Sequence, residues 1–244
     1  MKSVREPASL PLFHDELMLA RLRRSVHGSV RHFGPRTPLA RHGQPLESVH
    51  VVLSGLVSMT STSDAGRRSI LALLGPGGVL GQESVLPTPG VPPGPSPFGP
   101  PDRQDPHVDA VAFVASTTMV LATSELRDAF NRDPVILEWL AASLQRRVRA
   151  LQRSLIRNMS IPVKERVLDV LLELAATHGE RRPWGVIVRI PLSQDDIAAL
   201  VGATRESVNR ALRQLERSGS VCRVDGAYGV LAANADHGAE PGVS

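Results

Sequence analysis

The chain is short of several things, and each shortage closes off a class of protein. It holds one cysteine, Cys222, in 244 residues. A single thiol excludes an intrachain disulfide and a four-cysteine iron–sulfur cluster. No apolar run approaches the roughly 20 residues that a membrane-spanning helix needs. The opening stretch, MKSVREPASLPLFHDELMLARLRR, has no unbroken apolar core of the secretory kind, so a cytoplasmic protein is expected. Lysine occurs only at Lys2 and Lys164, and arginine carries the remaining positive charge. That bias, with abundant Ala, Gly and Pro, reads as GC-rich coding. The histidines show no metal-ligand spacing such as HExxH, so no metal site is predicted. Walker A and nucleophile-elbow sequences are missing. Gly75, Gly77 and Gly81 make a loose GxGxxxG, but a dinucleotide loop needs a helix after it, and this one runs into proline. No enzyme is expected.

What is present suits a soluble globular protein: 42% hydrophobic and 21% charged residues, enough for two domains with cores of their own. The net charge of +4 is compatible with nucleic acid. Residues 12–24 read as a short amphipathic helix. From Ser29 to Leu86 apolar runs alternate with Gly and Pro turns, as in an all-β roll. Nine of the twenty residues in 87–106 are proline, which neither sheet nor helix tolerates, so this is an extended insert. Its PxxP-like spacing makes a protein partner conceivable and a spacer the plainer reading. Strand character returns from Val108 to Ala122.

Asp133-Pro134 then starts a helix: a capping Asp followed by proline at the first helical position. No Gly or Pro interrupts Val135 to Ile161. Leu137, Ala141, Leu144, Val148, Leu151 and Leu155 step by 4 and 3 alternately, the seam of a parallel two-stranded coil. Arg146, Arg147, Arg149, Arg153 and Arg157 are placed on the outer side of this helix. Another amphipathic helix is read over 163–176.

The richest stretch is Leu192 to Arg223, LSQDDIAALVGATRESVNRALRQLERSGSVCR. Ser193 and Asp196 make a capping box, and Asp195 and Asp196 favour the positive end of the helix dipole. Ile197, Leu200 and Val201 supply a buried side, Ala198 allows close crossing, and Gly202 permits a left-handed turn. Thr204 caps a second helix running to about Arg217, with Val208, Ala211, Leu212 and Leu215 as its apolar stripe. Arg205, Glu206, Asn209 and Arg210 lie on or near the opposite side. An Arg fork donates to guanine O6 and N7, and Glu accepts from cytosine N4. Ser193, Thr204 and Ser207, at the two helix starts, are placed to hold phosphates. Ser220 to Leu231 reads as a hairpin turning at Asp225-Gly226. Helix-turn-helix plus hairpin is a winged helix, so double-stranded DNA is the expected partner.

The run Thr204-Arg205-Glu206-Ser207-Val208-Asn209-Arg210 resembles the recognition helix of the Crp–Fnr family of bacterial transcription regulators. Residues 50–57 and 71–81 resemble strands and turns of that family's cyclic-nucleotide-binding β-roll. The resemblance implies an α+β protein: N-terminal cyclic-nucleotide-binding-type β-roll, long dimerisation helix, C-terminal winged helix-turn-helix. The expected boundaries are 1–132, 133–160 and 161–235, with a tail at 236–244. The resemblance also implies a homodimer reading TGTGA-like half-sites, with Arg205 and Arg210 on guanines and Glu206 on a cytosine. Asn209 stands where the cyclic-AMP receptor has glycine. RNA polymerase is a further implied partner, through surface loops of which one matches Thr177 to Trp184.

The effector pocket departs from the family pattern. A Gly-Glu pair that holds ribose reads Gly81-Gln82 here, and an Arg-Ser pair that holds the cyclic phosphate falls at Asp109-Ala110. Asp109 would set negative charge beside an anion, a cost of several kcal/mol at an effective dielectric near ~20. Arg103 in the insert is one substitute cation, and Arg147 is counted with this candidate pocket. Leu151 and Gln152 replace a Thr and a Ser of the receptor's dimer helix. The expectation is therefore no cofactor, with cyclic AMP not bound in the family manner. A single cysteine also excludes the oxygen-sensing cluster of some relatives. The alternatives kept are a regulator responding to a cyclic nucleotide or another small ligand through a modified pocket, and a nucleotide-sensing module acting by protein contacts.

Overall fold

The computed structural model describes residues 12–41, 48–85 and 108–231. The proline-rich segment 87–106, with Arg103, and the tail lie outside the described residues. Two compact units result, Leu10–Gln152 and the chain from Arg153 on, and the division falls inside the long helix.

The first unit opens with α1 (Leu12–Ser25), then β1 (Ser29–Phe33), β2 (Pro38–Ala40), β3 (Ser48–Ser54), β4 (Val57–Thr62), β5 (Arg68–Leu74) and β6 (Val79–Leu80). A single 3-10 turn, Gln82–Ser84, follows, and β7 (Val108–Ala112), β8 (Ser116–Ala122), α2 (Thr123–Arg132) and α3 (Pro134–Ser160) complete it. The strands make two antiparallel four-stranded sheets, ordered β1-β8-β3-β6 and β2-β7-β4-β5. Period-2 alternation divides β3 between two cores. Val49 and Val51 join Met119 and Leu121 of β8 against the apolar sides of α1, α2 and the start of α3. Val52 faces the other way, into a cluster with Val57, Leu80 and Ala110 that ties the sheets together.

The chain between β8 and α3 carries a further helix, α2, that the strand pattern of the sequence does not announce. Leu126, Ala129 and Phe130, spaced i, i+3, i+4, are the buried side of α2. The cap expected for α3 is present: Asp133 Oδ1 accepts from the Val135 N–H at 3.3 Å, while Arg21 pairs with the same carboxylate.

The second unit begins with the last turns of α3 and continues through α4 (Val163–His178), β9 (Gly179–Arg182), β10 (Gly185–Val188), α5 (Gln194–Val201), α6 (Arg205–Arg217), β11 (Val221–Val224) and β12 (Ala227–Leu231). Its sheet runs β11-β12-β10-β9, all antiparallel. The segment Thr177 to Trp184, expected as a loop, is mostly the end of α4 and the strand β9. Its backbone is satisfied by pairing with β10, which itself pairs with the wing strand β12. Among the described residues no helix is long and apolar enough to cross a membrane.

Candidate nucleic-acid interface

Local chemistry builds the helix pair. Ser193 Oγ accepts from the Asp196 N–H at 3.0 Å, and Asp196 Oδ2 accepts from the Ser193 N–H at 3.1 Å, a complete capping box at the start of α5. Gly202 ends that helix at φ +61°, and a β-carbon there would meet Asn158 Nδ2 at 2.9 Å. The left-handed conformation favours glycine, and a β-carbon there would push the Asn158 amide aside. Thr204 Oγ1 accepts from the Ser207 N–H at 3.2 Å and so starts α6.

Val208, Ala211, Leu212 and Leu215 bury one side of α6. At 100° per residue the opposite half-turn presents Arg205, Asn209, Arg213, Arg217, Glu206, Arg210 and Gln214. These seven residues form one open polar face along the helix. The sequence reading placed four of them on this side and omitted Arg213, Gln214 and Arg217. Continuing the steps of four, 205-209-213-217 and 206-210-214, finds them.

The face holds only weak internal ties. Arg205 pairs with Asp195 at 3.6 Å and Arg210 with Glu206 at 3.4 Å, while the Arg205, Arg210 and Glu206 side chains stay 68%, 68% and 87% exposed. Exposed pairs of this kind contribute about 0–1 kcal/mol, so another partner replaces them at little cost. Asn209 Nδ2 donates to Gln194 Oε1 at 3.4 Å and is half-buried. The phosphate candidates sit at helix starts as expected, with hydroxyls already engaged: Ser193 Oγ donates to Asp196 and Thr204 Oγ1 to Ser207.

The wing turns at Asp225 and Gly226, φ +50° and +77°. Both residues take the left-handed conformation, as a two-residue hairpin turn requires. Arg223 lies over the Tyr228 ring, 3.7 Å from its centroid, and donates to the Tyr228 hydroxyl at 2.6 Å. Cys222 is half-buried beside Gly229, and burial pushes its thiol up from the ordinary value. A thiol held protonated is a packing group rather than a nucleophile. At the other edge of the sheet, Arg182 and Arg189 clasp Glu180, and the hydrogen bond from Arg189 holds that carboxyl below its usual range.

In the first unit the candidate pocket residues come from the turn after β6, from β7 and from α3. Gly81 takes φ +87° as a turn residue, and Gln82 is completely buried. The Gln82 amide is spoken for at both ends: Nε2 donates to Ser143 Oγ at 3.2 Å, and Oε1 accepts from Arg147 at 3.0 Å. Arg147 also donates to the Val79 carbonyl. Its placement on the outer side of α3 is therefore corrected. Stepping 4, 3 and 4 from Ile136 through Leu140 and Ser143 lands on Arg147, in line with the buried side of the helix. Asp109 and Ala110 lie on β7 in the other sheet, where the Ala110 side chain is buried among Val52, Val57 and Leu80. Among the described residues no group of three or more His, Cys, Asp or Glu could hold a metal.

A capped helix pair, an exposed basic face and a wing, on a chain that also carries a β-roll, define a winged helix-turn-helix DNA-binding regulator. Comparison with known proteins agrees. Residues 165–234 match the Crp-like helix-turn-helix domain, and residues 30–133 match the cyclic nucleotide-binding domain. A CRP-like cAMP-activated global transcriptional regulator of Mycobacterium tuberculosis is 30% identical over 188 residues, 75% of each chain. The cyclic AMP receptor protein of Thermus thermophilus is 28% identical, covering 86% of this chain and 88% of that one. Among solved structures, the c-di-GMP responsive global regulator CLP of Xanthomonas campestris superposes with a TM-score of 0.71 at 21% identity, covering 89% of this chain and 100% of the other. The chain belongs to the CRP family of DNA-binding transcription regulators.

Proposed function

We propose that this regulator works as a cytoplasmic homodimer that reads a near-palindromic DNA site with TGTGA-like half-sites through α6. The observation that carries this reading is the α6 face itself: donor-only Arg205 and Arg210 and acceptor-only Glu206, exposed on the first turns of a helix whose other side is buried. Those groups match guanine and cytosine edges in the major groove. Dimerisation through α3 is supported by its unpartnered apolar side chains, with Val148 50%, Leu151 37% and Leu155 60% exposed. Leu137, at the other end of the seam, packs on the first unit's own core, so the free part of the seam is its later half. Two α6 helices related by a two-fold axis read half-sites one helical turn apart. RNA polymerase is the proposed partner of the segment Thr177 to Trp184, which presents Arg181 and Arg182 exposed on β9.

Cyclic AMP is not the switch in this reading. The position expected to hold ribose, Gln82, is buried with its amide already bonded to α3, and the position expected to hold phosphate offers Asp109 and a buried Ala110. These residues do not fit an anionic nucleotide. Fluorescence anisotropy at fixed physiological salt, on a palindromic TGTGA-type duplex against a scrambled one and without nucleotide, tests the site preference and its independence of nucleotide. Selective binding by the nucleotide-free protein is expected. Selective binding that appears only on adding a cyclic nucleotide would favour the second reading, a ligand-responsive regulator with a modified pocket, which the match to the cyclic nucleotide-binding domain supports.

A further inference from the structure

Seven side chains line the α6 face, and they fall into three chemical classes. Arg205, Arg210, Arg213 and Arg217 only donate hydrogen bonds, and Glu206 only accepts them. Asn209 and Gln214 do both. A recognition helix meets base edges with its N-terminal residues, and of these two amides Asn209 is the nearer to that end, in the second turn.

We propose that Asn209, with its amide turned by Gln194, reads an adenine inside each half-site. The inference rests on α6 being the DNA-reading helix and adds a base to what that helix recognises. An amide nitrogen has two protons. One of those on Asn209 is directed to Gln194 Oε1 at 3.4 Å. With Gln194 taking the proton on the side away from Oδ1, as the proposal requires, the other proton and Oδ1 are left side by side as donor and acceptor. Adenine alone presents their complement in the major groove, with N7 accepting and N6 donating. Guanine offers two acceptors there, cytosine a donor, and thymine an acceptor beside a methyl group. The amide needs a fixed orientation to use this difference. Gln194 supplies it from the first residue of α5, directly after the Ser193 cap, so the orienting group is anchored in the other helix of the pair. Half-burial of Asn209 between the two helices further restricts its rotamers.

The neighbours set where that adenine falls. On the helical projection Asn209 lies between Arg205 and Arg213, towards the α5 side, while Glu206 and Arg210 lie away from it. The adenine is therefore next to the base read by Arg205 rather than beyond the one read by Arg210.

Random-site selection with the full-length protein tests this, run in parallel on wild type, Asn209→Ala and Gln194→Ala. Wild type is expected to select a palindrome with one adenine adjacent to the Arg205 base in each half. Asn209→Ala should lose that preference and keep the others. Gln194→Ala should weaken it, because the amide is then free to turn. On the selected duplex, replacing that adenine by guanine should lower wild-type affinity about 5- to 150-fold and leave Asn209→Ala nearly indifferent. Replacing it by 7-deazaadenine, which removes only the N7 acceptor, should lower wild-type affinity by about fivefold or more. A palindrome whose adenine preference survives Asn209→Ala, or an Asn209→Ala defect equal on every duplex, would overturn the inference while leaving the DNA-reading function standing. Selection of no palindrome by wild type would overturn both.

Discussion

The Arg166 guanidinium donates to the carbonyl of Val201, the last residue of α5, at 2.6 Å, and to Asn158 Oδ1 near the end of α3 at 3.0 Å. Arg166 is itself buried on α4, so one side chain joins three helices at the turn that precedes α6. A cation at a helix C-terminus is electrostatically favoured, and it satisfies a carbonyl that has no partner within the helix. Arg166→Met should therefore destabilise the C-terminal unit by about 2–3 kcal/mol, since it leaves a buried carbonyl unpaired. Asn158→Ala should cost about 1 kcal/mol. Denaturant unfolding followed by Trp184 fluorescence in a Trp139→Phe background measures both; equal stability of Arg166→Met and its Arg166 parent would refute the role.

Arg205 and Arg217 share a face but differ in position, at opposite ends of α6. Arg205→Ala should cost about 1–3 kcal/mol of binding and relax preference at one base pair. Arg217→Ala should weaken all duplexes alike and reduce the salt slope by about one, as the loss of a phosphate contact does. Binding titrations across a salt series separate the two effects.

The exposed later half of the α3 seam predicts a charge-sensitive dimer. Leu151→Glu or Leu155→Glu should shift the protein from dimer to monomer in sedimentation velocity and abolish tight binding to the full palindrome. The physical cause is burial of an unpaired carboxylate at the seam of a coil. An unchanged sedimentation coefficient would place the dimer interface elsewhere.

His50 gives the first unit a pH dependence. Burial between strands pushes its pKa from 6.5 down to about 4, with Arg31 adding repulsion. Thr118 and Ser48 hydroxyls hydrogen-bond the ring, and Phe33 packs beside it. The unfolded state therefore binds a proton that the folded state refuses between these two values. Stability is full above about pH 6.5 and falls as pH drops towards 4, by up to about 3 kcal/mol. His50→Gln should flatten thermal stability against pH across that window; a slope identical to wild type would assign it to other groups.

The Ser193 hydroxyl serves α5 before it serves any phosphate. Ser193→Ala should cost about 1 kcal/mol in unfolding free energy; Ser193→Asn, whose amide can both accept from and donate to Asp196, should largely restore it, whereas Ser193→Asp should not, because a second carboxylate would face Asp196. DNA affinity should not recover with Ser193→Asp, because a carboxylate repels the backbone.

How far the chain could be read in advance follows from the range of the forces involved. Caps, the Gly202 turn, the Asp225-Gly226 hairpin and the apolar stripe of α6 are set by residues within a few positions of one another, and they stand where the sequence puts them. Helix α2 escaped notice because ten residues give only three buried positions, too few for a clear period. The strand β9 escaped because GERR has no apolar alternation; it is a strand through pairing with β10. Arg213, Gln214 and Arg217 were within reach of the same periodicity that found Arg205.

The sequence by itself determined the helix-turn-helix, the chemical types on α6 and the uninterrupted span of α3, because each depends on spacing along one element. Tertiary structure alone decided which way Arg147 points, what bonds the Gln82 amide makes, and that Gln194 turns Asn209. Those are contacts between residues 65, 61 and 15 positions apart. An arginine in a helix shows its charge in the sequence, but whether it meets solvent or a buried amide depends on the strand that folds against it.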